Sequence, residues 1–343
     1  MTSFRTATVT EVLETLEGIE RYRLAMDDGA SARAYALVDQ IGPCAVGDEV
    51  VCNTTAVELG LGTGGWHVVH WNLSRRDWAH PGPDHIMKLR YTSLQSDVGT
   101  SELVYPDAPL DLAATPVVVC QVHSQVGIVA AAIGALRPNT RVCYVMTDGA
   151  ALPLALSDLV RQLRRRDLLD TTITAGHAFG GDLEAVTVAS ALTLAAGPAA
   201  ADAIIVAMGP GVVGTGTTYG TTAIEAASVL DTADALGGTP VLCVRASSGD
   251  ERERHRGVSH HSLTAIRLAH VSPLVALPPE LSPLDGTVPV AVEVPPIAEI
   301  LADTGLRITT MGRSIDADQL FFDAAACAAA AVVERLDRAP SNI

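Results

Sequence analysis

The sequence contains very little lysine and few aromatic residues. Of its 23 basic residues only Lys88 is a lysine, and aromatic side chains make up 4% of the 343 residues. Its core must therefore be built from Ala, Val and Leu, which the hydrophobic content of 48% supplies. The single lysine indicates either arginine-favouring codon usage or a position that needs a compact ammonium group, able to lose its proton. On the second interpretation Lys88 is a candidate catalytic residue.

Paired cysteines and long apolar runs are also missing. None of the six cysteines forms a C-x-x-C pair, and Cys120, Cys143 and Cys243 lie in apolar strand patterns, where a thiol is usually a small core residue. No apolar run reaches about 18 residues, and residues 1–12 lack the apolar core of a signal peptide. We therefore predict a reduced, cytoplasmic protein without disulfides, a cysteine zinc site or a membrane span.

Several function classes are excluded by charge and by missing motifs. The formal charge of −16 argues against general binding to nucleic acids or anionic membranes, although a local basic pocket is compatible with it. The chain has no G-x-S-x-G, no H-E-x-x-H and no G-K-[ST] after a glycine loop. These absences argue against a serine hydrolase, a zinc protease and a Walker-type nucleotidase.

The first part of the chain has the pattern of a small β-barrel. Short alternating or apolar runs predict five strands, over residues 6–13, 20–26, 32–37, 49–53 and 67–71. Turn residues such as those at 27–29 and 46–48, and a glycine-rich turn at 60–65, separate them. Regularly spaced short strands of this kind are typical of a closed barrel. We predict a barrel domain over residues 1–78.

The remainder, residues 79–343, alternates apolar strands with helices. The predicted strands are 116–122, 141–146, 171–175, 203–208, 240–245 and 271–277, with further strands at 288–292 and 306–310. This alternation predicts a Rossmann-like α/β domain, a mostly parallel sheet with helices on both faces. A helix over 316–336 is apolar around most of its girth, so we expect it to be buried or to form a homodimer interface.

The strongest functional signal is a glycine-rich loop. Gly209, Gly211 and Gly214 follow the apolar strand 203–208 and precede a helical stretch over 221–236. A buried strand that leads through glycines into a helix exposes backbone N–H groups to an anion, and the helix N-terminus adds positive potential. Hydroxyl groups continue the loop at Thr215 and Thr217. We predict that it binds a phosphate or a carboxylate.

Polar residues follow the other strands of the sheet, whose carboxyl ends share one edge where ligands bind. The predicted catalytic residues are Asp148, His177, His260 and Lys88, and Arg245 and Ser247 join the glycine loop as binding residues. Structural alternatives exist, because Asp148-Gly149 is also a turn signal and because Asp182 and Ser259 are typical helix N-caps. Neighbouring helical residues diverge by about 100°, so we expect only one of His260 and His261 to face the site.

A metal centre is an alternative use of the same edge. Asp148, His177, Asp182 and one of the two adjacent histidines have side chains that suit a divalent ion. No pair of carboxylates at fixed spacing supports such a centre, so we predict no metal ligands.

Four strings together resemble a bacterial family of uncharacterised proteins, catalogued only as a domain of unknown function. They are residues 147–153 (TDGAALP), 176–182 (GHAFGGD), 208–217 (MGPGVVGTGT) and 259–261 (SHH). The resemblance extends over nearly the whole chain and implies a shared architecture and a bacterial cytosolic setting. It implies no activity, substrate or catalytic residue.

Three functions fit these observations. We expect an enzyme, a transferase or a hydrolase, that acts on a small phosphorylated or nucleotide-like metabolite, with an unknown cofactor. The first alternative is an NADP-dependent oxidoreductase, in which the glycines hold the pyrophosphate and Arg245 and Ser247 meet the 2′-phosphate. Against it, the distance from Gly214 to Arg245 exceeds the usual spacing of about 20 residues. The second alternative is a non-enzymatic sensor of a metabolite or an interaction protein.

Overall fold

The computed structural model describes residues 2–61 and 64–338, and the chain divides into two compact units, Met1–Gly99 and Thr100–Ile343. The predicted boundary at residue 78 follows the last barrel strand, which ends at Asn72. The division itself falls later, so the connector over residues 79–99 groups with the barrel. Two residues of the turn predicted at 60–65, residues 62 and 63, lie outside the described residues.

The first unit contains the predicted closed barrel, with strand order β1-β2-β3-β5-β4. Its strands are β1 (Phe4–Leu16), β2 (Ile19–Met26), β3 (Ser31–Leu37), β4 (Glu49–Asn53) and β5 (Trp66–Asn72). Alternating side chains such as Val9, Tyr22 and Leu24 point inward and are buried, which is the period-2 pattern that the sequence displays. Two short helices lie between the strands, α1 (Val38–Ile41) and α2 (Thr55–Glu58).

Lys88 belongs to this first unit. It lies on the short strand β6 (Met87–Lys88), which pairs antiparallel with β7 (Ser96–Asp97). Its side chain is buried, so the one lysine of the chain is an interior residue.

The second unit is an α/β domain built on eight parallel strands in the order β11-β10-β9-β12-β8-β13-β16-β17. The strands are β8 (Pro116–Cys120), β9 (Val142–Thr147), β10 (Thr171–Ala175), β11 (Leu183–Ala185), β12 (Ala203–Met208), β13 (Thr239–Cys243), β16 (Leu274–Val275) and β17 (Val288–Pro289), with a separate hairpin of β14 (Ala246–Ser247) and β15 (Gly257–Val258). The helices are α3 (Ser101–Val104), α4 (His123–Leu136), α5 (Asp158–Arg164), α6 (Val188–Ala196), α7 (Glu225–Ala235), α8 (His260–Leu268), α9 (Ile297–Thr304) and α10 (Gln319–Arg338). The predicted fold class is confirmed.

Helices cover both faces of the sheet. Buried side chains of α4, α5, α9 and α10 form one core layer, and those of α6, α7 and α8 form the other. The apolar helix α10 packs on α4 and buries Phe321, Phe322 and most of its alanines inside the unit. Its composition is thus explained within one chain, and the homodimer stays a prediction.

Several elements differ from the prediction, and the strands expected over 271–277 and 288–292 are shorter, Leu274–Val275 and Val288–Pro289. The helix for which Asp182 was the alternative N-cap begins at Val188, where Thr187 is the N-cap, because β11 precedes it. The strand predicted over 306–310 is wrong as well, since these residues form an irregular segment with one bridge between Thr310 and Arg313.

All six cysteines are free and buried, which for Cys120, Cys143 and Cys243 is what the apolar patterns around them predict. In the described part of the chain, none of the helices combines the length and the apolar character that crossing a bilayer requires.

Candidate functional site

A crevice opens where the chain changes direction in the sheet. β8 leads into α4 on one face, and its neighbour β12 leads into α7 on the other face. In open α/β sheets, ligands bind at such a reversal, beyond the carboxyl ends of the strands. A cavity of about 360 Å³ lies here, and we call it the rim cavity. It is lined by residues 122–124, 158, 159, 162, 210–212, 245 and 307–311.

The three predicted glycines have different roles in this region. Gly211 lines the rim cavity and has a φ of +97°, with open space where a Cβ would stand. Gly209 is required for packing, because a Cβ there would lie 2.3 Å from the carbonyl oxygen of Ala151. A Cβ on Gly214 would lie 3.6 Å from Cε1 of His261. The loop therefore reaches from the cavity to a group of histidines.

The two predicted threonines of the loop contact each other, and the helix after the loop begins with an acidic residue. The hydroxyls of Thr215 and Thr217 lie 2.9 Å apart and are hydrogen-bonded to each other. The first residue of α7 is Glu225, whose carboxylate accepts a hydrogen bond from Thr147. The helices whose first residues line the rim cavity are α4 and α5. Neither of them is the helix that follows the glycine loop, which is the one that the loop motif predicts.

Arg245 is a buried guanidinium in the wall of the rim cavity. Its Nη1 lies 3.4 Å from Nδ1 of His261 and its Nη2 lies 3.7 Å from the carboxylate of Asp250. Burial, with Arg252 nearby, lowers the pKa of Arg245 to about 10, so the group remains charged at neutral pH. Asp250 is closer to Arg252, at 2.8 Å, than to Arg245, and this hydrogen bond holds the pKa of Asp250 well below its usual range.

Ser247 belongs to a second buried group, centred on Asp318. Its hydroxyl donates to Asp318 at 2.6 Å, and Nε of Arg313 binds the same carboxylate at 2.9 Å. Burial acts to raise the pKa of Asp318, but hydrogen bonds from Ser247, Gly249 and Arg313 hold it below its usual value. The predicted binding residue Ser247 thus holds Asp318 and, through it, Arg313 in place.

His123, which the sequence analysis did not single out, lies in the cavity wall at the start of α4. Its Nδ1 lies 3.2 Å from the hydroxyl of Tyr144 and 3.3 Å from the carbonyl of Met208. Its Nε2 lies 2.6 Å from the hydroxyl of Ser157. Burial lowers the pKa of His123 to about 4. The ring is a neutral imidazole that contacts a hydroxyl, the pairing found in nucleophile–base dyads.

Three histidines gather beside the glycine loop. His255, at the end of a 3₁₀ turn, meets His260 and His261 of the first turn of α8, and one ring nitrogen from each lies within 4.8 Å of the others. The ring centroids of His260 and His261 are 4.3 Å apart. His255 contacts both rings, and neither His260 nor His261 lines the rim cavity, so the expectation that only one of them faces a ligand there stays a prediction. The predicted N-cap Ser259 is confirmed, since it accepts from the N–H of His261 at 3.2 Å.

Burial is the main reason why the pKa values of all three imidazoles are lowered. It lowers the pKa of His255 to about 3, with Arg245 contributing, and that of His261 to about 4, with His260 contributing. The pKa of His260 is also lowered, by burial and then by Arg254. Three neutral imidazoles are thus held together at physiological pH.

The predicted pair Asp148 and His177 lies at the ends of β9 and β10. The backbone N–H of His177 donates to Asp148 at 3.0 Å, so the carboxylate shapes this turn. Neither residue lines the rim cavity. Asp182 is not a helix N-cap, because it binds Arg164 at 2.6 Å and the N–H of Thr172 at 2.8 Å. Among the described residues, Asp148, His177 and Asp182 are not part of any potential metal-binding group.

The residues that sequence reasoning missed carry weak local signals. His123 directly follows a predicted strand, which is the position from which the other rim residues were chosen. His255 lies in a run of alternating charges, and Arg313 and Asp318 lie far along the chain from Ser247. No local pattern connects those last residues, since only the packing of the C-terminal helix brings them to the rim.

The comparisons with known proteins provide a family and no function. The model of the family described as "Protein of unknown function (DUF3866)" matches residues 33–329. Neither the curated proteins nor the solved structures contain a match.

Proposed function

The chain belongs to DUF3866, a family of proteins of unknown function, and we propose that it is an enzyme that binds a small phosphorylated or nucleotide-like metabolite in the rim cavity. The proposal covers a transferase or a hydrolase, because both move a group from such a metabolite to an acceptor oxygen. It rests mainly on Arg245.

A buried guanidinium is costly unless its charge is well paired. The closest partners of the Arg245 guanidinium among the described residues, His261 and Asp250, stand at 3.4 and 3.7 Å. Asp250 is shared with Arg252 and Arg313 at 2.8 and 3.2 Å. A phosphate oxygen in the cavity would supply the charge-assisted hydrogen bond that this arrangement leaves weak. Anion binding therefore explains why an arginine is buried in a cavity wall.

Apart from Asp158, whose carboxylate is paired with Arg161, the rest of the cavity wall is consistent with an anionic ligand. Residues 307–311 form one side of the cavity, and within them Arg307 is exposed. Gly211 leaves its backbone accessible, and the N-terminus of α4 contributes positive potential. His123 supplies an imidazole that is neutral at pH 7 and is held by Ser157, which suits proton transfer at the bound group.

Binding of inorganic phosphate, pyrophosphate, nucleotides and sugar phosphates is measured by calorimetry and by thermal shift, in the presence of EDTA. A ligand at 100 times its Kd adds about 2.7 kcal/mol to the stability of the folded protein. We expect binding to be lost in Arg245→Met and weakened in Arg307→Gln. Arg267→Gln, which changes an exposed arginine of α8, is the matched control and should bind as the wild type does.

The same samples separate the alternatives. Turnover of a phosphorylated compound, followed by ³¹P NMR and lost in His123→Gln, supports an enzyme. Binding without turnover supports the metabolite sensor, and a preference for NADP supports the oxidoreductase. If none of these anions binds, or if Arg245→Met binds them as tightly as the wild type, the proposal is wrong.

A further inference from the structure

The three histidines beside the glycine loop form a site that the proposed function does not use. We propose that His255, His260 and His261 bind one divalent transition-metal ion of the zinc type. The site adjoins the rim cavity through Arg245, whose Nη1 lies 3.4 Å from Nδ1 of His261, but the proposal is argued from the three rings and does not require a ligand in the cavity.

The geometry is close to that of a three-histidine centre. A tetrahedral zinc ion with bonds of about 2.0–2.1 Å holds its nitrogens about 3.4 Å apart. The ring nitrogens lie within 4.8 Å of one another, so small side-chain rotations bring them into the coordination sphere. His260 and His261 are fixed by the first turn of α8, and His255 is fixed by the 3₁₀ turn that precedes it.

An unpaired buried atom points independently to a missing ligand. In the part of the chain that the structure describes, Nε2 of His260 is buried and has no hydrogen-bond partner. Buried polar atoms are nearly always paired, so an exception calls for a missing partner. A metal ion among the three rings would provide that partner.

The neighbouring groups resemble the outer shell of a metal site. Nδ1 of His255 is 2.8 Å from the hydroxyl of Ser259. This contact orients the ring and leaves Nε2 as the nitrogen that would bind the ion. Hydrogen bonds to the ring nitrogen that does not bind the metal fix the orientation of metal-binding histidines. The same serine caps α8, so one residue holds both the helix start and the ring of His255.

The surrounding charge predicts what else the ion binds. Arg245, Arg252 and Arg254 act on the histidines, and Asp250 offsets part of their charge. Three neutral imidazoles leave a dication uncompensated and one coordination position open. We therefore expect an anion or hydroxide as the fourth ligand, and we expect inorganic phosphate to tighten metal binding.

The test is titration of the metal-free full chain with Zn²⁺ and Co²⁺ in chloride buffer, by calorimetry and by the visible spectrum of Co²⁺. We expect one ion per chain and the intense absorption of tetrahedral Co²⁺. In His255→Gln and His261→Gln we expect the affinity to fall by about 100-fold or more, since disturbing outer-shell partners alone costs 10–100-fold. His270→Gln, at a side chain that is 94% exposed, is the matched control.

X-ray absorption of the zinc-loaded wild-type protein gives a readout that needs no variant. Scattering from three imidazole ligands supports the site even if a histidine variant does not fold. Absence of stoichiometric binding by the folded wild type, or binding that both variants retain, would overturn the proposal. Anion binding in EDTA is measured separately, so failure of the metal site and failure of the proposed function give different results.

Discussion

Charged residues of the barrel and of the sheet edge are paired in opposite environments. On the barrel, Arg23 meets Glu11 at 2.8 Å with side chains 47% and 54% exposed. At the edge of the sheet, Arg313 meets Asp318 at 2.9 Å, and the aspartate side chain is 0% exposed. Two pairs of nearly equal length thus differ in solvation, which largely decides the energetic role of each.

Of the two pairs compared, the one whose burial costs free energy lies in the second unit. Exposed ion pairs contribute between zero and about 1 kcal/mol, and their loss is easily tolerated. Buried ionised groups are often no more stabilising than apolar residues of the same size, but removing one partner leaves an uncompensated charge. Among the buried charges of the second unit, Arg245 lines the rim cavity and Asp250 is its ion-pair partner, which is consistent with the proposed ligand binding.

Asp318→Ala tests the buried side of the comparison and has the largest expected effect. It removes the partner of Arg313, of Ser247 and of two backbone N–H groups. We expect a loss of about 3–5 kcal/mol in the free energy of unfolding, measured by urea denaturation. Asp316→Ala, at an exposed position, is the control and should cost less than about 1 kcal/mol. Equal effects of both variants would contradict the buried-charge interpretation.

The pH dependence of the stability of His123→Gln tests the burial of a neutral group, whereas Asp318→Ala tests the burial of a charged one. The pKa of His123 falls from 6.5 to about 4 on folding. Between these values the unfolded chain binds a proton that the folded chain does not, so stability decreases as the pH falls from 6.5 to 4. The contribution reaches about 3 kcal/mol at the acid end. We expect the variant to lose less stability than the wild type over this interval, and identical slopes would show that His123 is not responsible.

Glu11→Ala tests the exposed side and has the smallest expected effect. The substitution breaks the pair with Arg23 on β1 and β2 of the barrel. We expect less than about 1 kcal/mol of destabilisation, and less still in high salt, because screening weakens exposed pairs. Thermal unfolding at low and high salt measures it. A loss as large as that of Asp318→Ala would remove the difference between the two regions.

The fold was largely predictable because both units follow simple periodic patterns. Alternation in strands such as β2 and near-continuous apolar runs such as β12 are local properties, and they predict a barrel and a parallel sheet. The errors arose where tertiary contacts decide the structure. Asp182 looks like an N-cap but binds Thr172 and Arg164, and the segment at 306–310 looks like a strand but lines a cavity.

The position of the rim cavity was predictable from the sequence, but only part of its lining was. Strand ends indicated the edge of the sheet at which the cavity lies, and the residues chosen there included Gly211 and Arg245, which line it, and His260 of the histidine group. The role of Lys88, which lies in the first unit, and those of Asp148 and His177 stay predictions. Asp318 and His255 could not be chosen from sequence, because the packing of α10 and the fold of a charged turn bring them to the site.

The positions of the cysteines make it possible to follow the local unfolding of each unit with a thiol reagent. Since every cysteine is buried, a polar thiol reagent should react with none of them until the surrounding structure opens. Cys44 and Cys52 lie in the barrel core, and the other four lie in the core of the sheet domain. Peptide mapping of labelled thiols would therefore show which of the two units opens first, without any engineered probe.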